Sequence, residues 1–177
     1  MTRFTVVLVL AATAVGFGAW TYSTEPGWYA KVRYPLRYES IVRGHAENYR
    51  LEPSLLSAVI YQESKFRADA RSPSGAVGLM QLLPATAVGI AQRTGGSEFE
   101  VDDLLDPEIN IRYGSWYLRH LIGKYGSVDL ALAAYNAGQT NVDRWQREGG
   151  GIEFAETRHY VDRVRELERV YRRAYFS

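Results

Sequence analysis

The sequence predicts a mainly α-helical domain behind an N-terminal hydrophobic segment. After residue 36, most segments repeat apolar residues at intervals of three and four, the period of a helix with one buried face. Stretches with glycine and proline separate these segments, and no useful length alternates apolar and polar residues as a strand would. We therefore expect about seven helices, with at most a small hairpin in the loops.

Length and composition exclude several classes of protein. With 177 residues, of which 46% are hydrophobic, the chain is long enough for one domain with a proper core. Its net charge of +1 provides no field that favours nucleic acid, so no nucleic-acid partner is expected. The sequence has no cysteine and three scattered histidines, which excludes a disulfide scaffold and a zinc-type ligand spacing. We expect a monomer.

The first residues predict export from the cytoplasm. Arg3 precedes residues 4–20, which are almost wholly apolar and carry no charge. Such a run is typical of a signal peptide or of a short uncleaved membrane anchor. Ala12-Thr13-Ala14 offers a cleavage site, whereas the length of the run and Trp20 favour an anchor in the cytoplasmic membrane. The domain is then expected in the cell envelope, or secreted if the segment is removed.

The rest of the chain divides into a linker and one domain. We assign residues 1–22 to the signal or anchor, residues 23–35 to a linker with Pro26 and Gly27, and residues 36–177 to the domain. The predicted helices are marked, in order, by His45 on an apolar stripe, Pro53 at a helix start, Pro84 before Gly95-Gly96, Asp106-Pro107 up to Gly126, Leu130 to Tyr135 before Gly138, Val142 with Trp145, and Val161 to Tyr171. A histidine on such a stripe is more often structural than catalytic. The arginines of the last helix alternate with acids, which predicts ion pairs on a solvated face.

One acid stands in an unusual position in the second helix. Glu63 follows Val59 and Ile60 by four and three residues, so it lies on the apolar face of the helix. A carboxylate there, near the helix C-terminus, is costly when charged, and its pKa should be raised. A carboxylic acid with a raised pKa beside a cleft can serve as a general acid. At this point a structural glutamate that turns to water or pairs with an arginine stays open.

Four short motifs occur together in a fixed order. They are Gln62-Glu63-Ser64, the run from Ser72 to Pro84, Ala133-Ala-Tyr-Asn-Ala-Gly138, and Glu156-Thr-Arg-His-Tyr-Val161. Each is weak alone. Together, over roughly residues 36–175, they closely resemble the catalytic domain of soluble lytic transglycosylases, the lysozyme-like enzymes that cut peptidoglycan. The resemblance implies a lysozyme-like helical fold with a substrate cleft, acting on peptidoglycan glycan strands without a metal or organic cofactor.

The resemblance also implies a role for each matching residue. Glu63 matches the single catalytic acid of the family, and Tyr135 matches a tyrosine whose hydroxyl faces that acid. The implied substrate-binding residues are Ser72 and Gln81 near the acid or the N-acetyl group, Met80 as a wall of the acid's pocket, Tyr135, Asn136, and Tyr160 and Glu156 at the cleft rim. Where many members have Ile-Met-Pro, this chain has Leu82-Leu83-Pro84, a change that conserves volume.

The implied reaction needs one acid where most glycosidases need two. Glu63 would protonate the oxygen of the β-1,4 bond between N-acetylmuramic acid and N-acetylglucosamine. As a carboxylate it would then accept the proton of the muramoyl C6 hydroxyl, which leaves a 1,6-anhydro end. Two alternatives stay open. One is a hydrolytic, goose-type-like muramidase with Asp69 as the second carboxylate, and the other is a non-catalytic protein that binds or organises the wall.

Overall fold

The computed structural model describes Thr13, Gly16 and residues 27–177, and this part of the chain is mainly helical. Between residues 27 and 177 there are eight α-helices, one 3-10 helix and two isolated β-bridges. The predicted fold class is thus confirmed for the domain. The predicted signal or anchor over residues 4–20 lies outside the described residues except for Thr13 and Gly16. Among the helices that are described, none is long and apolar enough to cross a membrane.

Contacts between Cα atoms divide the chain after Pro35. In the N-terminal unit, helix α1 spans Gly27–Arg33, whereas the sequence predicts a linker over residues 23–35. The residues assigned to the linker therefore include a short helix of seven residues. Their role as a linker stays a prediction.

The second unit, residues 36–177, contains the remaining elements. They are α2 (Glu39–Asn48), α3 (Pro53–Ser64), α4 (Pro84–Thr94), the 3-10 helix η1 (Val101–Leu105), α5 (Pro107–Tyr125), α6 (Val128–Ala137), α7 (Gln139–Arg147) and α8 (Ala155–Tyr175). The seven α-helices of this unit are those that the sequence predicts. Only the short η1 is missed, because five residues are too few to show a helical period.

Capping residues set the limits of the helices. At the start of α5, Asp106 accepts hydrogen bonds from the backbone N–H groups of Glu108 at 2.8 Å and Ile109 at 3.0 Å. Pro107 occupies the first helical position, where its missing N–H is not needed. At the other end, Gly126 has a φ of 64° and ends the helix. The same residues give the correct limits in the sequence.

Helix α3 lies in the centre of the core. Four consecutive residues, Ser57 to Ile60, are fully buried, so this part of the helix has no exposed face. Helix α8 packs along α3 more extensively than any other pair of helices pack in residues 36–177. Its predicted apolar stripe is buried, including Val164 and Leu167. The last turn of α3, with Glu63, therefore reaches the edge of the core beside α8.

Arginines of α8 form ion pairs with acids, as predicted, but the acid shared by two of these pairs lies outside the predicted solvated face. The carboxylate of Glu168 is buried and accepts hydrogen bonds from Arg165 at 2.7 Å and from Arg172 at 2.6 Å. Arg165 also pairs with Asp129 of α6 at 3.0 Å. A buried carboxylate with two arginines is compensated, in contrast to Glu63.

Candidate active site

Glu63 lies in the last turn of α3 and lines a cleft at the surface of the domain. The other lining residues are Ser72, Ser74, Ala76, Gln81, Leu83, Tyr135 and Asn136. Among these described residues Glu63 is the only acid. Five of them belong to the loop that joins α3 to α4, and two to the end of α6. The motifs that are far apart in the sequence therefore meet around one carboxyl group.

The side chain of Glu63 is half-buried, and its carboxyl group accepts a hydrogen bond from one hydroxyl group in the described part of the chain. Tyr160 donates a hydrogen bond of 2.5 Å to Oε1. Burial raises the pKa of Glu63 to about 7, although the hydrogen bond from Tyr160 stabilises the charged form and lowers it. The raised pKa is the direction that the helical pattern predicts. No arginine pairs with Glu63 in the described part of the chain, which sets aside the alternative of a salt-bridged structural glutamate.

The tyrosine that contacts the acid is Tyr160 and not Tyr135. The hydroxyl of Tyr135 donates to the carbonyl of Met80 at 2.7 Å, although its ring lines the cleft beside Glu63. The hydroxyl of Tyr135 therefore donates to a loop carbonyl and not to the acid, and the expectation that it faces Glu63 stays a prediction. Burial and the negative charge of Glu63 raise the pKa of both tyrosines, so both remain protonated donors.

The loop between α3 and α4 forms one wall of the cleft. Val77 makes isolated antiparallel bridges with Arg71 and Leu82, the small hairpin-like feature expected in the loops. Ser72 lies at the cleft and is held in this loop, since its Oγ accepts a hydrogen bond of 3.0 Å from the N–H of Ala76. Its hydroxyl is thus placed by the backbone of the loop.

Gln81 presents a fixed amide to the cleft. Its backbone has a φ of 48°, and its side-chain nitrogen donates to the carbonyls of Ala70 at 3.1 Å and Gly78 at 2.8 Å. Both amide hydrogens are used in this way, so the orientation of the amide is set. Its Oε1 receives no hydrogen bond from the residues that the structure describes, and it can accept one from a ligand.

Met80 supports the cleft without reaching it. Its side chain has no exposed surface and packs on Gly114 of α5, where a Cβ would come within 2.8 Å of the Cβ of Met80. The expectation that Met80 binds substrate is corrected. Because Gly114 has no side chain, the side chain of Met80 packs against it in the core. Its backbone is used instead, by the hydroxyl of Tyr135.

Asn110 is a supporting residue that the sequence analysis missed. It is fully buried on α5 and makes three hydrogen bonds. Its Oδ1 accepts from the N–H of Met80 at 2.7 Å, and its Nδ2 donates to the carbonyls of Val77 at 3.0 Å and Leu104 at 2.8 Å. A polar residue directly before Ile111, on the buried face of a helix, is the sequence signal for such a role.

Residues 78–80 are held from three helices. Asn110 binds them from α5 and Tyr135 from α6, while Ser64 of α3 donates from its Oγ to the carbonyl of Leu79 at 2.7 Å. Gly78 has a φ of 81°, and a Cβ there would lie within 2.8 Å of Cγ of Asn110. Only glycine fits both conditions. The segment is thereby fixed directly behind the acid.

The last two motifs contribute unequally to the cleft. Asn136 lines it, and its Oδ1 accepts a hydrogen bond of 2.8 Å from Thr157 of α8. Glu156 is exposed in the first turn of α8 and is not among the cleft residues, so the structure does not bring it to the site. It lies one helical turn before Tyr160.

Two other candidates lie away from the cleft. Asp69 is exposed and does not line it. His45 is buried with its Nε2 2.7 Å from Oε1 of Glu108, the structural role that its position predicts. In the part of the chain that the structure describes, no group of three or more metal-binding side chains is found.

Known proteins resemble this chain in sequence. The family model described as the transglycosylase SLT domain matches residues 40–157. The soluble lytic murein transglycosylase of Escherichia coli K12 is 33% identical over 152 residues, which cover 79% of this chain and 24% of that protein. The chain therefore spans about a quarter of the length of this curated relative.

Two solved structures show the same fold. The 70 kDa soluble lytic transglycosylase of Escherichia coli is similar with a TM-score of 0.76 and 32% identity, over 82% of this chain and 25% of that one. An inactive mutant of the lytic transglycosylase Slt of Pseudomonas aeruginosa gives a TM-score of 0.76 and 35% identity, over 81% and 25% of the two chains. The expected lysozyme-like helical architecture is thus matched by related enzymes of known structure.

Proposed function

The chain belongs to the transglycosylase SLT domain family, and we propose that it is a lytic transglycosylase of peptidoglycan. It cleaves the β-1,4 bond between N-acetylmuramic acid and N-acetylglucosamine and leaves a 1,6-anhydromuramoyl end. The observation that carries the proposal is Glu63. Its half-buried carboxyl group, with a pKa of about 7, is the only acid among the described residues that line the cleft.

In the first half of the reaction Glu63 is the general acid. With a pKa of about 7, roughly half of the molecules carry the proton at neutral pH. Tyr160 directs its own hydrogen at Oε1, so the proton of the acid form is carried by Oε2. This proton passes to the glycosidic oxygen as its bond to C1 of the muramoyl residue breaks. The N-acetylglucosamine unit leaves with a free 4-hydroxyl group.

The positive charge at C1 is stabilised by the substrate's own N-acetyl carbonyl oxygen, as in substrate-assisted glycosidases. Gln81 has an amide oxygen available to accept the N–H of that group, which would turn the carbonyl towards C1. Ser72 and Asn136 line the same cleft and supply further polar contacts. The geometry of the loop thus favours binding of the sugar that bears the N-acetyl group.

In the second half Glu63 is the base. Its carboxylate accepts the proton of the muramoyl C6 hydroxyl while the oxygen of that group bonds to C1. The acid is regenerated, no water enters the product, and the hydrogen bond from Tyr160 stabilises the carboxylate between the two steps. One residue with a pKa near the working pH can fill both roles in turn.

Hydrolysis would require a positioned water and, in most glycosidases, a second carboxylate. Asp69, the candidate for that group, is exposed and lies outside the cleft. A wall-binding protein without activity would not need a carboxyl group whose charge is penalised by burial. No observation favours either alternative over the transglycosylase.

The cellular setting is proposed from the sequence alone. Residues 1–22 would export the protein and anchor it in the membrane, or be removed, with residues 36–177 acting as a monomer in the envelope. Residues 23–35 would connect the two parts. Glycan strands of peptidoglycan are the partner.

The mass of the products tests the proposal. The purified full-length protein is incubated with peptidoglycan, with the Glu63→Gln variant as the control. Muropeptides that lack a reducing muramic acid and are lighter by one water support the transglycosylase. Reducing ends would show a hydrolase, and retained binding to peptidoglycan without any product would show a binding protein.

A further inference from the structure

Helix α8 carries a second buried tyrosine on the face that contains Tyr160. Tyr171 follows Tyr160 by about three helical turns, so the two side chains leave the helix in nearly the same direction. Val164 and Leu167 lie between them on this face, and all four residues are buried. The face that brings the hydroxyl of Tyr160 to Glu63 therefore continues to Tyr171, roughly 16 Å further along the helix.

The ring of Tyr171 contacts two aromatic rings that lie on either side of the acid in the sequence. Its centroid is 6.2 Å from that of Tyr61 and 6.3 Å from that of Phe66, with the planes inclined by 60° and 61°. Contacts between inclined rings depend on direction as well as on distance. Tyr61 comes shortly before Glu63 and Phe66 shortly after it. One side chain of α8 thus contacts both ends of the segment that contains the acid.

Phe66 makes its contact from an unfavourable backbone conformation. Helices α4 and α5 end at Gly95 and Gly126, which adopt the left-handed region without steric cost. Helix α3 ends instead at Lys65 with a φ of 52°, and Phe66 follows with a φ of 60°. A side chain disfavours this region, but the ring of Phe66 is fully buried, which offsets the cost. The turn after the acid is therefore held by a side chain that Tyr171 contacts.

Tyr171 is also held from the end of its own helix. It has no exposed surface, and its ring stacks on that of Tyr175 with centroids 5.7 Å apart and planes 27° from parallel. The hydroxyl of Tyr175 accepts a hydrogen bond of 3.1 Å from the N–H of Leu36, at the start of the domain. A shift of α8 along α3 would therefore disturb several contacts of this ring.

The residues between the two tyrosines fix the position of α8 less strictly. Val164 and Leu167 pack through methyl groups, and hydrophobic contacts of this kind have no preferred direction. The hydrogen bond of 2.5 Å between Tyr160 and Glu63, in contrast, depends on distance and angle. A directional contact elsewhere on the same face would hold α8 at the position that this bond needs.

We propose that Tyr171 is a positioning residue for the reaction and that it acts through Tyr160. Its ring, set between two rings of the segment 61–66, fixes the place along α3 at which the hydroxyl of Tyr160 meets the acid. Tyr171 is not among the residues that line the cleft, so its effect on the substrate passes through Glu63. This inference rests on the proposed function, which makes Glu63 the acid and the base.

The pKa of Glu63 in solution tests the inference. It is measured by NMR titration of the full-length protein, labelled with 13C at the glutamate carboxyl groups. The signal of Glu63 is the one that is absent from the Glu63→Gln variant. Tyr135 is the other titratable side chain whose charge interacts with Glu63, and its bond to Met80 is unaffected by changes at Tyr171.

Tyr171→Leu removes the ring and keeps an apolar side chain. We expect it to raise the pKa of Glu63 by about half a unit or more, because a weaker hydrogen bond from Tyr160 stabilises the carboxylate less. The alkaline limb of the pH–rate profile should move in the same direction by the same amount. Tyr171→Phe, which keeps the ring, should restore the pKa of the wild type.

The same substitution in the Tyr160→Phe protein separates positioning from general packing. If Tyr171 acts through Tyr160, Tyr171→Leu should change the pKa of Glu63 by less than about 0.3 unit once that hydroxyl is absent. Leu121→Ala is the control for lost stability, since it removes a fully buried side chain of α5. It should lower the thermal midpoint and leave the pKa of Glu63 unchanged.

The proposal is overturned if Tyr171→Leu leaves the pKa of Glu63 unchanged or lowers it. It is equally overturned if the rise is the same with and without the hydroxyl of Tyr160, because Tyr171 would then act on the burial of the acid. Should Tyr171→Leu fail to fold, Phe66→Leu removes one of the two ring contacts instead. A smaller rise that also depends on Tyr160 is then expected, and no rise overturns the proposal.

The failure of this inference is distinct from a failure of the proposed function. If the wild-type protein releases no anhydro product, the transglycosylase assignment is wrong, and the pKa values still decide whether Tyr171 acts through Tyr160. If anhydro product forms while the pKa of Glu63 is the same in the wild type and in Tyr171→Leu, the transglycosylase stands and this inference is wrong.

Discussion

The hydroxyl of Tyr160 and the carboxyl group of Glu63 share a hydrogen bond of 2.5 Å across 97 positions of the chain. Burial at the end of α3 raises the pKa of Glu63, and the hydroxyl from α8 opposes this rise. The packing of α8 along α3 thus influences the pKa of Glu63, because it brings the hydroxyl of Tyr160 to the carboxyl group.

Tyr160→Phe should raise the pKa of Glu63 further, because it removes the donor that stabilises the carboxylate. Activity requires the protonated acid in the first step and is lost as the pH rises through this pKa. The alkaline limb of the pH–rate profile should therefore move to higher pH by about one unit, the value of one hydrogen bond to a charged group. The profile is measured from the release of anhydro ends.

Tyr135→Phe is the matched control for that experiment. The hydroxyl of Tyr135 binds the carbonyl of Met80, so its loss should reduce stability by about 1 kcal/mol and slow the reaction. The alkaline limb should remain within a few tenths of a unit. Equal shifts of the alkaline limb in the two variants would contradict a specific effect of the Tyr160 hydrogen bond on the pKa of Glu63.

Glu63→Gln should stabilise the protein at alkaline pH. The folded-state pKa of about 7 lies above the ordinary value of 4.5, so the folded protein holds this proton more tightly than the unfolded chain. The associated stability is complete below pH 4.5 and is lost as the pH rises towards 7 and above. Thermal unfolding should give the variant an advantage of about 1–3 kcal/mol at pH 9 over wild type, and little at pH 4. An advantage that does not vary with pH would contradict the assigned burial.

Gly78→Ala should unfold or strongly destabilise the domain, by about 3 kcal/mol or more. The added Cβ meets the side chain of Asn110 and also requires a φ of 81°. Gly75→Ala provides the comparison, because Gly75 has nearly the same φ of 83° and nothing within 4 Å of its Cβ. It should lose only about 1 kcal/mol from backbone strain. Urea unfolding of both variants measures the difference, and equal losses would show that the contact with Asn110 is unimportant.

Asn110→Ala should cost about 2–5 kcal/mol, because the buried N–H of Met80 and the carbonyl of Leu104 lose the hydrogen bonds that Asn110 makes to them. The carbonyl of Val77 also loses a bond but keeps the one from the N–H of Leu82. In the fraction that folds, kcat should fall more than KM rises, since the cleft residues keep their side chains while residues 78–80 loosen behind the acid. Asn48→Ala, at an exposed position at the end of α2, should change stability by less than about 0.5 kcal/mol. Steady-state kinetics and chemical unfolding of the two variants are the measurements.

The helices and the acid could be predicted from the sequence because both depend on local patterns. Apolar spacing places Glu63 on a buried face, and residues such as Asp106 and Gly126 mark the ends of helices by their own chemistry. These patterns could not predict that the hydroxyl of Tyr160 donates to Glu63 while that of Tyr135 donates to Met80. This arrangement depends on where the carbonyl of a distant loop residue lies, and no helical period contains that information.

Met80 and Asn110 are two further residues whose roles depend on contacts that the local sequence does not show. Met80 lies in a motif, and its burial follows from the missing side chain of Gly114 on another helix. Asn110 lies outside every motif, and its importance follows from three backbone partners that its own neighbours in the sequence do not reveal. Residue type can suggest chemistry, whereas the contact that uses it is set by tertiary packing.

The triple attachment of residues 78–80 also determines how this part of the protein can move. The N–H of Met80 is bonded to the buried Asn110, so exposing it to solvent requires breaking this contact with the core. We expect hydrogen exchange at this amide to be nearly as slow as global unfolding permits, although the segment forms part of the wall of the cleft. The wall of the cleft and the hydrophobic core form one cooperative unit, and the loop cannot be replaced without redesigning the three helices that hold it.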